Sequence, residues 1–130
     1  MSLNTKDDYL LFFGKNLEIE LANVPCDVEG QRASIFINNV EDFCRTYLMK
    51  NYDWNGTFKN SFQENQFKKG CLFQIEYVLH NSDLFNDSGV DADKGVIVSY
   101  EILRKVELSS RAFNEFWLGG MANISTLGRR

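Results

Sequence analysis

The chain holds a single histidine, His80, and that residue bounds most of the chemistry open to it. Any nucleophile activated by an imidazole has to use His80 as its base. Three cysteines are candidates: Cys26, Cys44 and Cys71. Cys71 and His80 share one alternating run, where nine residues of strand would hold them roughly 30 Å apart on opposite faces. Cys44 falls in a helical apolar stripe and reads as a small core residue. Cys26 follows Pro25 and precedes Asp27, and an adjacent carboxylate disfavours its thiolate. His80 is left as a surface residue at a strand end, and no catalytic residue is assigned.

Other chemistries fare no better. No Cys-x-x-Cys or His-x-x-x-His pair occurs, so no zinc site is expected. Glu76 and Glu101 would need to lie ~5–10 Å apart in a cleft to cleave a glycoside. They share their polar phase with Glu18, Glu20 and Glu107, and a solvated sheet face accounts for the whole set. The stretch NSDLFNDSGVDADKG, residues 81–95, offers Asp83, Asp87, Asp91 and Asp93. It departs from the calcium-loop template, lacking a third ligand before Gly95 and a closing glutamate, so no metal is expected. P-loop, dinucleotide-binding and nucleophile-elbow motifs are absent, and no cofactor is expected.

What remains is binding. A fifteen-residue stretch with four aspartates and some apolar residues exceeds the needs of a hairpin, and such loops are usually functional or mobile. The 81–95 loop is therefore assigned as a contact surface for another protein of basic character. Asp83, Asp87, Asp91 and Asp93 would supply charge and Phe85 an aromatic anchor. The alternative is a single-stranded nucleic-acid surface on residues 52–69, with Trp54 and Phe58 as stacking rings and Lys59, Lys68 and Lys69 as phosphate contacts. Core packing of those rings is the simpler reading, and the acidic balance weighs against nucleic acid.

The elements that would position these residues follow from hydrophobic period. Asp7 and Asp8 precede Tyr9-Leu10-Leu11-Phe12-Phe13 and Gly14, which suits either one capped helical turn or a short edge strand. Leu17, Ile19 and Leu21 alternate with Glu18 and Glu20, and Ala33, Ile35 and Ile37 alternate with Ser34, Phe36 and Asn38; the pair reads as an antiparallel hairpin. Val40, Phe43, Cys44, Tyr47 and Leu48 form the stripe of a core helix capped at Asn39. Asn55-Gly56 marks a turn, followed by an irregular or helical stretch to Gly70. Cys71, Phe73, Ile75, Tyr77 and Leu79 alternate with Leu72, Gln74, Glu76, Val78 and His80. Val96, Val98, Tyr100, Ile102 and Val106 repeat the pattern, giving two long strands. A last helix starts at Ser109 or Ser110, carries Ala112, Phe113, Phe116 and Trp117, and stops at Gly119-Gly120.

The expected fold is α+β: a two-layer sandwich with a mainly antiparallel four-stranded sheet in the order β-β-α-(x)-β-β-α and helices on one face. Residues 1–130 suit one domain, with 1–8 and 121–130 as mobile ends. A net charge of −4 is mild, but it is banded: residues 76–101 carry six acids against Lys94 alone. An odd cysteine count and an acidic start suggest a reducing, cytoplasmic setting, and no apolar run approaches the ~18 residues of a membrane span. Together these features predict a non-enzymatic, cytoplasmic, macromolecule-binding protein of the inhibitor, immunity, phage or assembly type. A homo-oligomeric structural subunit is the further alternative.

Overall fold

The computed structural model describes residues 2–22, 30–80 and 108–122. Its regular elements are all helices, and no strand occurs among the described residues: α1 (Lys6–Phe13), α2 (Leu17–Glu20), α3 (Arg32–Asn51), α4 (Ser61–His80) and α5 (Ser110–Leu118). The expected α+β sandwich with its four-stranded antiparallel sheet is thus overturned. Three of its strands are helical, and the fourth, 96–108, lies outside the described residues except for Leu108.

The physical reason is plainest in α4. Its buried positions are Gln63, Gln66, Phe67, Gly70, Cys71, Leu72, Gln74, Ile75 and Val78. They step by threes and fours, the period of one helix face. Glutamines hold three of the positions, so an apolar count misses the period and sees only the alternation from Cys71 to Leu79. The strands expected at 17–21 and 33–37 are likewise helical, with burial at helical spacing. Leu17 and Leu21 are fully buried one helical turn apart, while Ile19 projects into solvent. Phe36, placed on the outer face by the strand reading, is buried beside Ala33, Ile37 and Val40. The expected helix over 40–48 is present but begins two turns earlier, with Asn39 inside it. Its first turn is capped from a distance: the Ala33 N–H donates to Glu18 Oε2 at 3.2 Å.

The other helices match their local signals. Thr5 and Asp8 form a reciprocal capping box at the start of α1, and Gly14 closes it at φ 72°, where a side chain would be strained. Asn55-Gly56 does form a turn, with Asn55 Oδ1 accepting from the Thr57 N–H at 3.0 Å. α4 then runs straight through Gly70 instead of ending there. Ser109 caps α5 by accepting from the Ala112 N–H at 3.0 Å, and the helix ends at Gly119 as expected.

α4 lies along α5 and against α3, while α1 and α2 pack on each other and on α3. Gly70 lets α5 approach closely, because a Cβ there would fall within the Phe116 ring. Phe116 stacks on Phe67 with centroids 5.6 Å apart, and Phe67 in turn meets Trp54 and Phe58. The Arg45 guanidinium sits over these rings at 5.3–5.9 Å and donates to the Gly56 carbonyl. That pairing fixes the 52–60 loop to α3 through one cation–π cluster.

The start of the chain is anchored through Glu41. This buried carboxylate accepts from the Leu3 N–H at 2.7 Å, the Asn4 N–H at 2.8 Å and Asn4 Nδ2 at 2.9 Å. Burial raises its pKa above the ordinary carboxylate range, against the opposing pull of those three donors and Arg45. Met121 and Ala122, after α5, are buried as well.

Candidate functional site

An eight-residue helix can bury only one stripe, yet α1 is apolar at five consecutive positions, Tyr9 to Phe13. Tyr9 takes the core side with zero exposure, and Phe13 packs partly beneath it. Leu10, Leu11 and Phe12 must then face outward. Leu11 is 86% exposed, and across a groove on α4 Phe62 is 59% exposed. Between the two helices lies a groove of about 400 Å³ whose walls are Asp8, Leu11 and Phe12 on α1 and Phe62, Asn65, Lys69 and Leu72 on α4. The α4 wall repeats at helical spacing, so the groove runs along that helix for roughly 15 Å. Phe12 also makes an edge-on contact with Phe73, centroids 5.2 Å apart.

The groove has a polar floor. Asn4 lines it and is fixed by donating to Glu41 and to the Lys68 carbonyl, at 2.9 and 3.1 Å. Its Oδ1 is buried and has no hydrogen-bond partner among the described residues. Charge is split between the walls. Asp8 stands on α1, where its carboxylate also accepts from the Thr5 N–H at 2.9 Å. Lys68 and Lys69 stand on α4 and have no anionic partner among the described residues. The groove thus sets exposed aromatic and aliphatic side chains beside a rim that carries both signs of charge.

A second cleft of about 470 Å³ lies between the end of α4 and the start of α5, lined by Phe73, Glu76, Tyr77, His80, Ser109 and Arg111 among others. Its polar groups are largely engaged in structure. Glu76 pairs with Lys15 at 3.8 Å, Arg111 lies over the Phe73 ring at 6.0 Å, and Ser109 caps α5. His80 is exposed in the last turn of α4. Helical geometry brings it within roughly 14 Å of Cys71, not the 30 Å of a strand, but Cys71 is wholly buried. Its thiol is pushed well above the ordinary range by burial and then by Cys44, so it is a poor nucleophile. Among the described residues no three His, Cys, Asp or Glu side chains gather to hold a metal ion.

The contact residues expected in the acidic loop, Asp83, Phe85, Asp87, Asp91 and Asp93, lie outside the described residues, as do Cys26 and Glu101. The aromatic and basic set on residues 52–69 is divided. Trp54 is 7% exposed and Phe58 is half-buried, both within the Arg45 cluster. Trp54 Nε1 donates to the Thr57 carbonyl at 2.9 Å. Lys59 and Lys69 are exposed and Lys68 half-exposed. The rings are thus engaged with Arg45 and with one another.

Leu10, Leu11, Phe12 and Phe62 were not singled out by their sequence pattern. The usable signal was the five-residue apolar run itself, which no short helix can bury on all sides. Comparison of the chain with family models, with curated proteins and with solved structures returns no match. No helix among the described residues is long and apolar enough to cross a membrane.

Proposed function

We propose that this chain is a non-enzymatic protein-binding module of a reducing, cytoplasmic compartment, and that the α1–α4 groove is its docking surface. One observation carries the reading: Leu11 and Phe62, two large apolar side chains at 86% and 59% exposure, flank a groove instead of packing in the core. Each such side chain gains roughly 1.5–3 kcal/mol on being covered, so a partner that fills the groove is favoured. The acidic 81–95 stretch remains a second contact element of the same reading.

Site-specific photo-crosslinking tests it. A photoreactive phenylalanine analogue in place of Phe62 is expected to yield one discrete polypeptide adduct in cell extract. Leu11→Asp should abolish that adduct. The same analogue at Lys50, exposed in the last turn of α3, serves as the control position. Labelling at position 62 no greater than at position 50, or unaffected by Leu11→Asp, would sink the proposal.

A further inference from the structure

The distribution of charge around the groove says more than its apolar centre does. We infer that the occupant of the α1–α4 groove is a second copy of this chain, paired with it about a twofold axis. The inference rests on reading the groove as a docking surface and names its partner.

A ligand of one charge does not fit this rim. An acidic segment would meet Asp8 in the α1 wall and Asp7, exposed one turn before Leu11. A basic segment would meet Lys68 and Lys69 in the α4 wall. A twofold contact presents the same patch from both sides, so each residue faces a different residue of the other copy, and the patch must be complementary to itself. This one is. Rotation sets the acidic α1 wall of each copy against the basic α4 wall of the other, and both ion pairs form twice. Leu11 of each copy is then carried over the groove of the other, against the exposed Phe62 ring and the open face of Phe12. The centre of the contact is apolar and aromatic and the rim is charged, the usual anatomy of a protein interface. Rim pairs of this kind fix register and orientation more than they add affinity, so reversing their sign is the sharper probe.

Sedimentation equilibrium of the full chain over a wide concentration range provides the test, with circular dichroism confirming helix content for each variant. Wild type is expected to be a dimer. Leu11→Asp should be monomeric at concentrations where wild type is paired. Lys69→Glu alone and Asp7→Lys alone should each raise the dissociation constant by about tenfold or more, because two like-charge contacts arise per dimer. An equimolar mixture of the Lys69→Glu and Asp7→Lys chains should recover a heterodimer near wild-type affinity, since both contacts are then attractive. A wild-type chain that stays monomeric, or a dimer indifferent to Leu11→Asp and to both reversals, overturns the inference. If the photo-crosslink at position 62 captures a different polypeptide while wild type is monomeric, the second copy is excluded and the docking surface stands.

Discussion

The two long sides of α4 are built on opposite plans. Toward α5 the stretch from Gln63 to Gln74 is closed by paired polar groups, and the second cleft opens where α4 ends. Gln63 Nε2 donates to the Gly119 carbonyl at 2.8 Å, Gln66 Nε2 to Glu115 Oε1 at 3.0 Å, and Gln74 Oε1 accepts from the Ser109 N–H at 2.8 Å. Phe116 fills the space that Gly70 leaves. Toward α1 the surface is open: Phe62 and Leu11 project, Lys68 and Lys69 lack anionic partners among the described residues, and Asn4 Oδ1 is unmatched. A finished interface buries polar groups only in pairs. The α4–α5 seam meets that condition from Gln63 to Gln74, and the α1–α4 groove does not. One side of the helix is core, and the other is an open groove.

The sharpest way to break this contrast is at the seam. Phe116→Ala is expected to cost about 3–5 kcal/mol in urea unfolding, the usual range for emptying a fully buried aromatic site. Gly70→Ala should cost about 1–3 kcal/mol by overpacking despite the better helix propensity of alanine. In a Phe116→Leu background that cost should shrink, and a double-mutant cycle reads the coupling directly. Equal and additive effects would mean that Gly70 is not where α5 gains its close approach.

A smaller effect is expected at Glu41, which holds the floor of the groove in place. Glu41→Gln replaces one acceptor by a donor facing the Leu3 and Asn4 N–H groups, so their amide exchange should accelerate, with a global cost of about 1–2 kcal/mol. The pH dependence carries a definite sign. A carboxyl whose folded pKa is raised makes the native state bind more protons than the unfolded chain. Its contribution to stability is therefore greatest below the unfolded value and is lost as pH rises through the folded one. The advantage of wild type over Glu41→Gln should thus decline from mildly acidic to neutral pH. An advantage that grows with pH would show that the donors around Glu41 outweigh its burial.

Much of the helical detail was legible in the sequence, though not the fold class. The cap at Ser109 or Ser110, the Gly119 stop, the stripe from Val40 to Leu48 and the Asn55-Gly56 turn each rest on a signal contained within a few residues. The strands expected at 17–21, 33–37 and 71–80 rest on alternation over five to ten residues, and such short windows do not separate strand from helix. In α4 the deciding information is the burial of Gln63, Gln66 and Gln74, which depends on partners in α5 and its two caps, 35 to 56 residues away in sequence. Polar residues at core positions hide a helical period from any reading by hydrophobicity. The groove was obscured by a different cause: its walls come from α1 and α4, and only their packing brings Leu11 beside Phe62.

Side-chain oxidation by hydroxyl radicals, compared between dilute and concentrated protein, tests the central claim most directly. Leu11 and Phe62 should label strongly when dilute and become protected as the chain associates, while Phe67 and Phe116 stay unlabelled throughout. Labelling of Leu11 and Phe62 that is the same at both concentrations would contradict an occupied groove, and protection at both would contradict an open one.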